Sequence, residues 1–263
     1  MKTKTITRFS ALAAALMIGG CSSLGFGSKS DDMNNDLPAK LEKKTDYKQA
    51  YKDYVELGAK YVQMGRYDLA EPKLKRAIEI DSHPPDAWNI LAVMYEEARD
   101  ISSGNQIYQK LIRSHPEYLL GHVNYATFLC KFDRDSEMQA LLNQMRARNA
   151  EFKTAASIAE GNCMAARGQS GQAENAYKQA IAVNPQAEGA LLPLAEISLQ
   201  KGDAAGALRY LKVVHTYVGY SPESVKIGIE AARKAGDSRM EEELVRVMRA
   251  NYKNTPQAQS LGI

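Results

Sequence analysis

From Tyr47 onward the apolar residues recur at three- and four-residue intervals, the spacing that places them on one face of an α-helix. Trp88, Leu91, Ala92 and Tyr95 form one such row, and after the break near Asp100 a second follows through Gly104, Tyr108 and Leu111. Pro116 then punctuates the chain, and the pair of rows begins again. The unit 85–118 spans 34 residues, and the unit before it, 51–84, repeats its plan with Tyr54, Leu57, Gly58 and Tyr61, then Ala70, Leu74 and Ala77. Later copies are weaker but stay in step: 119–152 with Tyr125, Ala126 and Leu129, and 154–187 with Gly161, Gly168, Ala173, Tyr177 and Ala180. The copy 188–221 carries Leu194, Ala195, Gly202, Ala207 and Leu211, and the last, from 222, has Ile229, Ala232, Gly236, Leu244 and Met248. Gly58 or Ala92 leaves room for two antiparallel helices to approach, and the aromatics fill the space beside them.

This pattern of a large residue, Leu, a small residue and an aromatic resembles the tetratricopeptide repeat. The expected fold is all-α, a tetratricopeptide-repeat solenoid of about six helix-turn-helix repeats over 47–253, with 254–263 as a C-terminal tail. Each pair has too little core to stand alone, so the repeats must stack into one body. In such stacks the resemblance implies that the first helix of each pair lines the inner face through the fifth and ninth positions, among others. In the first four repeats those positions are Val55, Ala59, Asn89, Val93, Val123, Thr127, Ile158 and Asn162; the series continues to Leu192, Glu196, Lys226 and Glu230. An apolar row broken by asparagines suits a helix or an extended peptide, with the amides bonding its backbone.

The N-terminus carries a different signal. Lys2, Lys4 and Arg8 precede a short apolar run, Phe9 to Ile18, too short to span a bilayer core of roughly 30 Å. Ile18-Gly19-Gly20-Cys21 resembles a lipobox, which implies a signal peptide over 1–20 and a diacylglycerol and N-acyl lipid on Cys21. Ser22 after that cysteine points, in this class, to the outer membrane, with the body in the periplasm. Residues 21–46 read as a lipidated flexible tether, poor in large apolar groups. Its length corresponds to roughly 25–30 Å of random coil.

Charge and cysteine content follow from this. The net charge of +3 resides in the three cations of residues 1–20, which hold no acidic residue, so the mature chain is formally neutral. Nothing there asks for nucleic acid or an acidic small-molecule substrate. Two thiols remain, Cys130 and Cys163, on first helices of adjacent repeats. In an oxidising compartment they are expected to form a disulfide; two buried free thiols in helix interfaces are the alternative. His83, His115, His122 and His215 have no zinc-ligand spacing, and no nucleophile elbow or Cys-x-x-Cys occurs, so neither catalysis, a metal nor another cofactor is expected.

Taken together, these features resemble the PilW/PilF family of outer-membrane lipoproteins of type IV pilus biogenesis. The more specific marks are Asn124-Tyr125-Ala126-Thr127-Phe128-Leu129-Cys130, Gly161-Asn162-Cys163, Ser221-Pro222-Glu223-Ser224 and Gly236-Asp237. Ala126 stands where the family has Gly, and Val225-Lys226-Ile227 where Leu-Trp-Leu is usual. The resemblance implies a pilotin: a non-catalytic scaffold that binds the type IV pilus secretin and aids its outer-membrane localisation and multimerisation, on which twitching motility depends. A scaffold of another assembly machine, such as that for β-barrels, or an accessory of an envelope peptidase, uses the same anchor and groove.

Overall fold

The computed structural model describes residues 44–263. The signal peptide over 1–20, the lipidation site Cys21 and nearly all of the tether expected over 21–46 lie outside the described residues. Among the described residues, twelve helices form six antiparallel pairs: α1 (Lys44–Gln63) with α2 (Tyr67–Ile80), α3 (Asp86–Glu97) with α4 (Ile101–Ser114), and α5 (Leu119–Lys131) with α6 (Asp135–Arg146). Then come α7 (Ala150–Ala166) with α8 (Ser170–Val183), α9 (Glu188–Gln200) with α10 (Ala204–Tyr217), and α11 (Pro222–Ala235) with α12 (Ser238–Asn251); the short α13 (Pro256–Ser260) follows. The described residues contain no strand, and the fold is an all-α tetratricopeptide solenoid.

One local device makes all six turns. The residue after the left-handed position donates its N–H to a carbonyl five residues back: Arg66 to Tyr61, Asp100 to Tyr95, Arg134 to Leu129, Gln169 to Met164, Asp203 to Ser198 and Asp237 to Ala232. This is the Schellman closure, which satisfies carbonyls the helix end leaves free. Gly65, Gly168, Gly202 and Gly236 supply the positive φ, whereas Arg99 (φ 58°) and Asp133 (φ 54°) adopt it with a side chain. In three turns the same donor residue caps the next helix, because Asp100, Asp203 and Asp237 accept from the N–H of Ser103, Gly206 and Met240.

Within each pair the helices touch through the small residue of the motif. A Cβ on Gly58 would lie 2.7 Å from the Leu74 side chain, and one on Gly161 would lie 2.5 Å from the Tyr177 ring. Ala92, Ala126 and Ala195 hold the equivalent places, fully buried. In the last repeat that role falls to Gly228, whose Cβ would meet Leu244 at 2.7 Å, while Ile229 fills core one residue later.

The core is a succession of interfaces rather than one centre. Leu74, Leu91, Met94 and Tyr95 join the first two pairs. Tyr108, Tyr125, Phe128, Met138, Leu142 and Phe152 form the largest cluster, across the second to fourth. Smaller clusters around Leu194 and around Leu211 continue the series. Residues 254–263, a tail by sequence, contain α13, which packs on α11; Ala258, Leu261 and Ile263 cover Val225, Ile229, Leu244 and Met248. A stack needs such a cover, since its last helix pair would otherwise leave an apolar face in water.

Candidate partner-binding face

First helices touch one another in series, α1 to α3, α3 to α5, α5 to α7, α7 to α9 and α9 to α11; the second helices form no such series. The row of first helices is therefore the closely spaced side of the stack, and the fifth and ninth positions lie along it.

Most of the apolar positions there are half-buried and serve two purposes. Val55 leans on the cluster of Tyr51, Ala77 and Ala87, while Val93 and Val123 lean on the large central core. Ile158 packs against the α8–α9 cluster, and Ala59 is half-buried as well. The sequence alone leaves unmarked Leu120, 45 % exposed, and the small residues Ala155 and Gly189, which with Val123, Ile158 and Leu192 make the row continuous from α5 to α9. These are second and fifth positions, so the repeat register contained the signal.

The polar positions differ from expectation. Asn89 is buried, and its Oδ1 accepts a 2.9 Å hydrogen bond from Nδ2 of Asn124, joining α3 to α5. Asn162 is exposed, but its Oδ1 accepts from the Tyr177 hydroxyl at 2.8 Å. Both side-chain oxygens expected to serve a ligand's backbone thus have internal partners. Thr127 is exposed, with its hydroxyl donating to the Val123 carbonyl of its own helix at 3.0 Å.

Charge along the face changes from one end to the other. Glu96 on α3 is neutralised: Lys131 donates to it at 2.9 Å and the Tyr108 hydroxyl at 3.1 Å. Farther along, on α9 and α11, Glu196 and Glu230 have neither a hydrogen bond nor an ion pair among the described residues. Partial burial, followed by repulsion from Glu223, pushes the Glu196 carboxyl above the usual carboxylate range; Lys226 opposes this and Glu230 adds to it.

The middle of the row is tied together. Cys130 of α5 and Cys163 of α7 are joined by a disulfide with Cα atoms 5.9 Å apart. Beside it Arg167, at the end of α7, donates to the Cys130 carbonyl at 3.2 Å, to Asp133 at 3.1 Å and to Asp135 at 2.7 Å. This guanidinium fixes the same two repeats from the turn side.

A family model for the tetratricopeptide repeat matches residues 55–119 and 159–214. The stretch between them folds in the same pattern as α5, α6 and the start of α7. In sequence the chain is 24% identical over 198 residues to the type IV pilus assembly protein PilF of Pseudomonas aeruginosa PAO1, covering 74% of this chain and 77% of that one. In structure it is similar to the crystal structure of PilW, described as a widely conserved type IV pilus biogenesis factor, at a TM-score of 0.56 and 22% identity; 82% of this chain and 99% of that chain are covered. The structure of P. aeruginosa PilF follows at a TM-score of 0.54 and 21% identity, over 82% and 98% of the two chains. The chain carries tetratricopeptide repeats, shares its fold with both proteins, and is homologous in sequence to PilF at moderate identity.

Proposed function

We propose that this chain is a lipid-anchored, non-catalytic scaffold of type IV pilus biogenesis: a pilotin that captures the pilus secretin and promotes its assembly in the outer membrane. The observation that carries the reading is the extended sequence match to PilF, over 198 residues, on a repeat fold whose inner row presents Leu120, Val123, Ile158 and Leu192 from α5 to α9. Side chains such as Leu120, Val123 and Ile158 would bury apolar surface of the client, at roughly 25 cal/mol per Å² before the costs of association. Acylation at Cys21, taken from the lipobox, holds the scaffold at a surface and raises its effective concentration toward a membrane client. In the oxidising periplasm the Cys130–Cys163 bridge would stay closed.

A deletion strain, probed for secretin multimers by gel, tests this directly. The expected result is loss of the multimer with other outer-membrane barrels intact. Normal multimers would remove the pilotin reading, and a general loss of barrels would move the scaffold to another assembly machine. Complementation with Leu120→Asp and Val93→Asp tests the face. Leu120 is exposed, so its variant should fold normally yet fail to restore multimers. Full rescue by both would place the client elsewhere on the solenoid.

A further inference from the structure

The apolar row ends beside two carboxylates, Glu196 and Glu230, that have no ion pair among the described residues. Leu120 and Val123 on α5, Ala155 and Ile158 on α7, and Gly189 and Leu192 on α9 are uncharged and partly or fully open to solvent. At that end the same face presents Glu196 on α9 and Glu223 and Glu230 on α11, with Lys226 among them and Lys234, which donates to the Leu199 carbonyl at 3.3 Å, one turn beyond Glu230. Glu223 has Gln257 at 2.9 Å and Lys226 at a loose 3.9 Å, while Glu196 and Glu230 have no polar partner among the described residues. Glu96 on α3, by contrast, is paired with Lys131 at 2.9 Å.

We propose that this face takes a largely apolar segment carrying a lysine or arginine at the end that lies against α9 and α11. The inference rests on reading the inner row as the binding face and adds the chemistry of the occupant. An apolar segment alone would cover the stretch from α5 to α9 but leave the carboxylates beside a newly dry interface. An acidic end would add a further like charge beside Glu196, Glu223 and Glu230. A cation placed between Glu196 and Glu230 relieves both.

The test uses the full-length lipoprotein in zwitterionic nanodiscs, with empty discs as the blank. The probes are fluorescent peptides of ~20 residues, enough for a helix of ~30 Å to cross four first helices at ~8–10 Å spacing. Their body is Leu, Ala and Gln in helical register; one pair carries two lysines at the N- or C-terminal end, the other two glutamates. Anisotropy titration should show the better lysine peptide binding at least about tenfold tighter than either glutamate peptide, with affinity falling as salt rises. In Glu196→Gln/Glu230→Gln, which removes charge from two unpaired groups, the preference should shrink to about threefold or less. Circular dichroism of the variant should match the parent. Equal binding of the two peptide types, an undiminished preference in the double variant, or no binding of either would overturn the proposal. Loss of secretin binding with the lysine preference intact would instead remove the secretin as client and leave this inference standing.

Discussion

Gly161 offers the sharpest test of how the repeats close. A methyl group there would lie 2.5 Å from Cε1 and 2.7 Å from Cδ1 of Tyr177, well inside contact distance. The ring has little room to retreat: Tyr177 is 2 % exposed, and its hydroxyl is held by Asn162. Gly161→Ala gains up to ~1 kcal/mol of helix propensity. Overpacking of a well-filled site costs ~1–3 kcal/mol. The second effect wins where the ring is pinned, so a net loss of up to ~2 kcal/mol is expected. For a protein of this size that corresponds to up to roughly 8 °C in Tm. Gly171→Ala is the internal control, because that site has nothing within 4 Å and the same chemical change should stabilise by up to ~0.5–1 kcal/mol. Urea unfolding followed by circular dichroism separates the two. The close-packing account of the small position is wrong if Gly161→Ala is as stable as the parent or moves with Gly171→Ala.

Three other outcomes follow from the same geometry. Arg99 adopts a left-handed conformation that costs a non-glycine residue ~1 kcal/mol, so Arg99→Gly should raise the urea midpoint; an unchanged or lower midpoint would refute the strain. Opening the bridge by Cys130→Ser/Cys163→Ser should cost ~3–4 kcal/mol on the chain-entropy account, given a sequence separation of 33, and non-reducing peptide mapping of the parent should recover the linked peptide; two free thiols would end that reading. Burial lowers the pKa of both His122 and His215, so the folded state disfavours their protonated forms, and stability is present above the ordinary histidine pKa of ~6.5 and declines as pH falls below it. NMR titration should find both midpoints below the ordinary value, and midpoints at or above it would contradict the burial argument.

Periodicity along the chain was enough to determine the helices, their pairing and the repeat, because each depends on neighbours within one unit: Gly58 and Leu74 meet only 16 positions apart, and the turn at Gly65 closes on Tyr61. The one-residue drift that puts Gly228 rather than Ile229 against Leu244 escaped it, since a helix can rotate slightly to keep a good contact while the register slips. Tertiary structure alone decided how the face is furnished. Asn89 and Asn124 come from different repeats, and whether an amide meets another amide or a ligand depends on how close α3 and α5 stand. The balance of charge was equally hidden. Glu96 and Glu196 are both glutamates of first helices, yet a lysine on the next first helix bonds one, and none bonds the other among the described residues. A repeating pattern states which residues face inward; the spacing between copies, set by packing across their interfaces, states which of them remain free to bind.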